Sequence, residues 1–189
     1  MLYFFEEFGF YVEIAGFKGV SFEQADVYLK GNRAVKLQNV WVQFFDSALI
    51  ATCEHLYFAV LNAFYAFKNH VNVSKNLAVE TLLYASSQRQ IQKAIQLIGL
   101  KAGMSEMAVV VIGETVEQVN FVLNDLSVQL HANFCDDVLS LTQEKSALIS
   151  QVFNFSPLMV EVAAKRKGSD LALVDLVIEK VALLAAVVV

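Results

Sequence analysis

Cysteine and histidine are scarce in this sequence, and their spacing excludes the common metal sites. The two cysteines, Cys53 and Cys135, stand far apart, and neither has a CxxC partner. Buried reduced thiols are therefore expected, not a disulfide or a metal site. The three histidines, His55, His70 and His131, form no HxxxH or HxH pattern, so spacing alone builds no zinc site. Phosphate-binding loops of the GxxxxGKS/T and GxGxxG types are missing, as are GxSxG and HExxH. The acidic pairs Glu6-Glu7 and Asp136-Asp137 are consecutive residues, which do not share a helix face, and they read as solvated surface. Cys53 and His55 offer no nucleophile–base arrangement that sequence can place. The chain is expected not to be an enzyme and to carry no cofactor and no small-molecule substrate.

Long apolar runs are missing too, despite a hydrophobic content of 57% and a mean hydropathy of +0.51. The best candidate, Leu171 to Val189, carries Asp175, Glu179 and Lys180, which breaks the roughly 20 apolar residues that a membrane span needs. The N-terminal MLYFFEEFGF lacks a basic segment and meets Glu6 and Glu7 at once, unlike a signal peptide. A cytoplasmic protein with no membrane contact is expected, its excess apolar surface pointing to a protein partner. At 189 residues, one domain spanning 1–189 is expected to bury its own core.

The net charge of −5 counts against a general nucleic-acid binder. From Tyr65 to Lys101, however, Lys68, Lys75, Arg89, Lys93 and Lys101 face Glu80 alone, a local net of +4. A basic zone on an acidic chain favours an anionic partner at one place.

What is present reads as mixed helix and strand. Phe10 to Phe17 alternates like a strand, and Gly16 and Gly19 are expected to bracket a turn. Ser21 with Gln24 forms a capping-box pattern for a helix that Gly31 ends. Val35 to Phe45 is rich in β-branched and aromatic residues and reads as a strand. Ser47 to Asn69 reads as one long helix whose aromatics, Tyr57, Phe58, Phe64, Tyr65 and Phe67, belong to the core. Met107 to Ile112 fits a central strand, and Glu114 to Asp125 and Glu144 to Phe153 fit helices. Asn133 to Leu139 is ambiguous. Pro157 opens a further helix at a permitted first position. Few strands among many helices make α+β the expected class, a small central antiparallel sheet covered by several helices.

One stretch is more specific. Leu77 to Leu100 reads as a helix capped by Asn76, a break at Ser86-Ser87, and a second helix beginning near Gln88. Ser87 to Gln90 fits a capping box. Ile91, Ala94, Ile95 and Ile98 form its apolar face, and Gly99 stops it. Arg89 at a helix N-terminus is electrostatically awkward, since acidic residues are favoured there. Either Ser87 and Gln90 merely cap while Arg89 is solvated or pairs with Glu80, or the break is an anion site. The final segment, Ser169 to Val189, begins with a Ser-Asp cap and is apolar around most of its circumference. It is either central to the core or docks a partner by one face.

These residues carry a resemblance. Glu80-Thr81-Leu82-Leu83-Tyr84-Ala85-Ser86-Ser87-Gln88-Arg89-Gln90-Ile91, followed by Ala94-Ile95 and Gly99-Leu100, resembles the E-x-L-L-Y-A-S-G-x-R-Q-I…A-I…G-I pattern of archaeal KEOPS small subunits, the family of the PRPK-binding protein. Leu173 to Leu184 is similar to the family's L-x-x-L-V-x-E-R-V-A-L-L ending. Ser87 stands where the pattern has Gly, and Lys180 where it has Arg. The resemblance implies a non-catalytic subunit of the complex that makes threonylcarbamoyladenosine in tRNA, binding the atypical kinase/ATPase subunit and recruiting tRNA through its single-stranded CCA 3′ end. It implies that Arg89, the Ser86-Ser87 break and Gln90 hold phosphates and base edges, with Lys93, Lys75 and Lys68 supplying field. Tyr84 would be the exposed aromatic that a single-stranded end stacks on. The C-terminal helix would dock the kinase through Leu173, Leu176, Val177, Lys180 and Leu184, or through its opposite face. The alternative is a homodimeric interaction module with a small-anion site.

Overall fold

The computed structural model describes residues 1–30, 39–167 and 169–186, without the side chains of Lys30, Arg166, Lys167, Ser169 and Asp170. The end expected at Gly31, the first part of the Val35 strand, and the side chains of the Ser169-Asp170 cap lie outside what is described.

A run of β-branched residues places the central strand. Glu106–Gly113 (β4) lies between Phe10–Lys18 (β2) and Trp41–Asp46 (β3), and Leu2–Phe5 (β1) forms a hairpin with β2. A two-residue strand, Asn133–Phe134 (β5), also pairs with β2, and every pairing is antiparallel. Within β4, Ala108, Val110 and Ile112 enter one hydrophobic cluster, while Met107, Val109 and Val111 enter the other. A strand buried on both faces cannot alternate polar and apolar, which is why this segment reads as a continuous apolar run.

Helices Phe22–Lys30 (α1) and Val116–Gln129 (α5) cover one face of the sheet, with Tyr28, Val119, Val122 and Leu126 buried against it. The other face carries Cys53–Lys68 (α2), Leu77–Ala85 (α3), Ile91–Ile98 (α4), Gln143–Val152 (α6) and Ser169–Ala186 (α8), and Pro157–Lys167 (α7) packs on α8. The class is α+β.

Several local expectations are corrected. Ser47 to Asn69 is not one helix: a 3₁₀ turn at Ser47–Leu49 precedes α2. The thiols of Cys53 and Cys135 are free but only half-buried. Gly16 does not flank a turn but lies inside β2 opposite Ala108. A Cβ there would overlap the Val138 side chain and the Cys135 carbonyl. The glycine exists because the 3₁₀ turn Asp136–Leu139 crosses the strand at that point, where Cys135 N–H donates to the Gly16 carbonyl at 2.8 Å.

Helix ends follow a shared device. Glycine is the usual residue just past a helix that closes in the left-handed conformation. Here the position is taken by His70 after α2, Ser87 after α3, His131 after α5 and Asn154 after α6, with φ between 48° and 58°. Each helix closes with the paired bonds of a Schellman motif, as where Ser87 N–H donates to Tyr84 O at 2.9 Å and Gln88 N–H to Leu83 O at 3.0 Å.

Candidate functional site

The α3–α4 break is built by that closing motif rather than by a capping box. α4 starts at Ile91, with Gln90 at the cap position and no side-chain cap bond. Arg89 therefore stands just outside the helix, and Ser87 sits in the left-handed region with a buried hydroxyl that has no hydrogen-bond partner. The pattern S-x-x-Q fits both a helix start and a helix end. The end wins here because the last carbonyls of α3 need donors.

Three further contacts fix the break. His55, fully buried on α2, accepts from Ala51 N–H at Nδ1 (3.3 Å), so its proton lies on Nε2 and is donated to Ala85 O at 2.8 Å. Burial lowers its pKa from 6.5 to about 4, reinforced by the Lys145 charge and opposed by the Ala85 bond. Glu80, only 1% exposed, does not pair with Arg89. Its carboxylate accepts from Val73 N–H at 3.1 Å and Ser74 N–H at 2.7 Å, tying the preceding loop to α3. Arg89 instead donates from Nη2 to Leu184 O at 3.3 Å.

The residues expected to meet RNA divide between exposed and buried or ion-paired positions. Arg89, Gln90, Lys93 and Lys75 are exposed around the break and the start of α3. Lys68 is ion-paired with Glu7 and stands 5.9 Å from the Phe8 ring centre. Lys101 is paired with Asp46 at 2.9 Å. Ser86 is buried, its hydroxyl donating to Leu83 O at 3.0 Å, and is not open to a phosphate. Tyr84 is 3% exposed and presents no ring for stacking. Burial raises its pKa, as does the Glu80 charge, while Arg89 acts the other way. It faces the inside of the break because α3 is buried on nearly every side.

The apolar face assigned to α4 is also narrower than expected. Ala94 and Ile98 are buried, but Ile91 and Ile95 are exposed. Ile95 stands at the edge of a cavity of about 440 Å³ between β3, α1, α3 and α4, which no motif in the sequence announced.

On the C-terminal helix, Leu173 and Val177 are core residues, not surface ones, and Val181 continues their stripe. Lys180 donates to Phe153 O and lies 5.3 Å from the Phe155 ring centre, and Leu184 is half-buried. Of the residues expected to dock a partner, Leu176 alone lines a groove between α7 and α8, with Leu158, Met159, Val162, Asp175 and Glu179. Among the described residues no cluster of His, Cys, Asp or Glu could hold a metal, and no helix is long and apolar enough to cross a membrane.

Two comparisons bear on this geometry. A family model described as kinase binding protein CGI-121 matches residues 23–185. The Regulatory protein Cgi121 of Methanocaldococcus jannaschii is 28% identical over 131 residues, which is 66% of this chain and 82% of that protein.

Proposed function

This chain belongs to the CGI-121 family of kinase binding proteins, and from that membership we propose that it is a non-catalytic regulatory subunit of the cytoplasmic KEOPS tRNA threonylcarbamoyladenosine complex. It binds the atypical kinase/ATPase subunit by one surface and recruits tRNA through the 3′ CCA end by another.

The observation that carries the RNA half is the cation arrangement at the break. Arg89, Gln90, Lys93 and Lys75 are exposed together, while Glu80, the acidic residue nearest Arg89 in sequence, holds the Val73–Ser74 amides instead. A phosphate at this point meets a guanidinium beside the positive end of α4. The kinase half rests on the α7–α8 groove, which Leu158, Met159, Val162 and Leu176 line with apolar surface. Such a surface suits the apolar face of a partner helix.

Measuring tRNA binding of Arg89→Glu, with tRNA lacking its CCA as control, tests the RNA half. Weaker binding of intact tRNA only is expected, and unchanged affinity removes the site. Co-purification of the native protein with an atypical kinase tests the other half. A homodimer that captures neither kinase nor tRNA would favour the interaction-module reading.

A further inference from the structure

We propose that the free edge of β1 pairs with β1 of a second copy of this chain, joining two sheets about a two-fold axis at Tyr3. The inference stands apart from the RNA and kinase readings, since it uses no residue of the break or of the α7–α8 groove. β1 is the end strand of the sheet, and among the described residues no strand pairs with its outer side. Met1 and Ile14 exchange both backbone bonds, Ile14 N–H donating to Met1 O at 3.0 Å and the Met1 nitrogen to Ile14 O at 2.6 Å. Bonded and non-bonded pairs alternate along an antiparallel ladder, so Tyr3 and Phe5 use their backbone groups on Val12 and Phe10. The N–H and C=O groups of Leu2 and Phe4 therefore point outward. Such edges are normally blunted by lysine, proline or a bulge. Leu2-Tyr3-Phe4-Phe5 has no charge and no proline, and its register with β2 runs without a bulge.

The edge is complementary to itself, as a two-fold contact requires. Antiparallel pairing with Tyr3 opposite Tyr3 sets Leu2 opposite Phe4 of the second copy, and Phe4 opposite its Leu2. These are the residues whose backbone groups point outward, so the two copies close a bonded pair on each side of the axis. Side chains match on both faces. Leu2 and Phe4, 44% and 54% exposed, share one face with Tyr11, which stacks on Phe4 at 4.6 Å. The Phe4 ring then lies between Tyr11 and Leu2 of the second copy. On the other face the central non-bonded pair brings the two Tyr3 residues together, with Cα atoms about 4.5 Å apart, each ring already 5.0 Å from Tyr57. Charge does not oppose the contact: the strands are uncharged, and Glu7 beyond their end is paired with Lys68. An aromatic side chain buries roughly 150–250 Å², so Leu2, Phe4 and the half-buried Tyr3 and Tyr11 offer on the order of 300–400 Å² per copy. That total falls short of the roughly 1,200 Å² where stable interfaces begin, and it fits a weak, reversible dimer.

Sedimentation velocity of the full chain from about 1 µM to about 1 mM covers the range of weak association. The mass is expected to rise with concentration from 21.0 kDa toward twice that value. Phe4→Lys, which charges the edge at an exposed site, is expected to weaken association at least tenfold. Leu2→Lys should do the same, and it decides the matter if Phe4→Lys fails to fold. Register is read by cross-linking in a Cys53→Ser background, because the Cys53 thiol lies against Tyr3. Tyr3→Cys is expected to give a disulfide dimer under mild oxidation, its Cα spacing being within reach of one. Leu2→Cys is not, because the two copies of that position are offset by two residues, roughly 7 Å along the strand. A monomer at every concentration overturns the proposal. So does a dimer that both lysine variants leave intact, or one that Leu2→Cys cross-links in preference to Tyr3→Cys. Weaker kinase capture by Phe4→Lys, with the wild-type chain monomeric throughout, would give the edge to the kinase and also overturn it.

Discussion

Arg89 donates to the backbone carbonyl of Leu184 at 3.3 Å, so the side chain nearest the α3–α4 break also satisfies a carbonyl in the last turn of α8. Carbonyls there have no partner within their own helix. The surface proposed for RNA and the helix behind the kinase groove therefore share one guanidinium.

Removing that charge should be read first in salt. Each phosphate contact on a single strand contributes about 0.7 to the slope of log affinity against log salt concentration. Arg89→Glu is expected to weaken tRNA binding and to flatten the slope by about that amount between 50 and 200 mM salt. Its urea midpoint should barely move, because the Leu184 bond is exposed. A parallel salt plot with unchanged slope would mean that Arg89 touches no phosphate.

Ser87 allows a prediction in the stabilising direction. It holds φ of 52° and its hydroxyl is buried without a partner. A left-handed non-glycine residue costs roughly 1–2 kcal/mol, part of which glycine returns through the greater freedom of its unfolded chain. Ser87→Gly is expected to gain up to about 1 kcal/mol in urea denaturation, and Ser87→Val, which is β-branched, to lose at least that much. If Ser87→Gly destabilises, the hydroxyl is contributing something the geometry does not account for.

His55 makes stability depend on pH. Its folded pKa of about 4 lies below its ordinary 6.5, so the unfolded chain takes up the proton first. The contribution is complete above about pH 6.5 and is lost as pH falls toward 4, on the order of 3 kcal/mol in all. His55→Phe should remove this one-proton dependence. It should also cost about 2–4 kcal/mol at pH 7, because Ala51 N–H and Ala85 O lose their buried partner. Unfolding curves from pH 7 to 4 that keep the wild-type slope in His55→Phe would contradict this.

Among the described glycines, Gly16 has the nearest obstacle to an added methyl. In Gly16→Ala the Cβ overlaps the Cys135 carbonyl and the Val138 side chain. The crossing turn is also held by Gly16 N–H on Asp136 Oδ1 at 3.2 Å and by Lys145 Nζ on Val138 O at 2.9 Å, so it cannot easily retreat. A loss of roughly 2–3 kcal/mol is expected from overpacking, on a strand φ that alanine itself tolerates, against about 1–2 kcal/mol for Gly9→Ala, whose added methyl meets nothing and strains only a left-handed φ. Equal losses at the two sites would show that the turn gives way.

Three helix ends are legible in the sequence because their causes are local, whereas the Ser87 to Gln90 capping pattern is not the start of α4. Asn76 caps α3, Gly99 ends α4 and Pro157 opens α7, as their neighbours in sequence imply. Gly16 was misread because its constraint comes from Val138, more than a hundred residues away. Ile91 and Ile95 share a helical stripe with buried residues but lie beyond the reach of the sheet. Periodicity shows which residues of a helix lie together, not how wide a stripe its neighbours cover. The same limit applied to α8. Its apolar circumference leaves core and docking as alternatives, and packing shows that Leu173, Val177 and Val181 point inward.

That division decides how the kinase surface should be probed. Truncating the chain at Ser169 would strip Leu173, Val177 and Val181 from the core, so lost binding would report unfolding alone. Leu158 and Val162, 66% and 51% exposed, lie one turn apart on α7 along the groove that Leu176 and Glu179 complete. Charging them removes apolar contact area without removing core. Leu158→Asp and Val162→Asp should each weaken kinase binding about tenfold or more, since one buried apolar side chain is worth roughly 1.5–3 kcal/mol. Neither should shift the thermal midpoint by more than a few degrees or alter tRNA binding at the break. Leu173→Asp should instead collapse the fold, being a charge placed in the core. Wild-type kinase affinity in the folded double variant Leu158→Asp/Val162→Asp would remove the groove from the interface and leave the kinase to another face of the molecule.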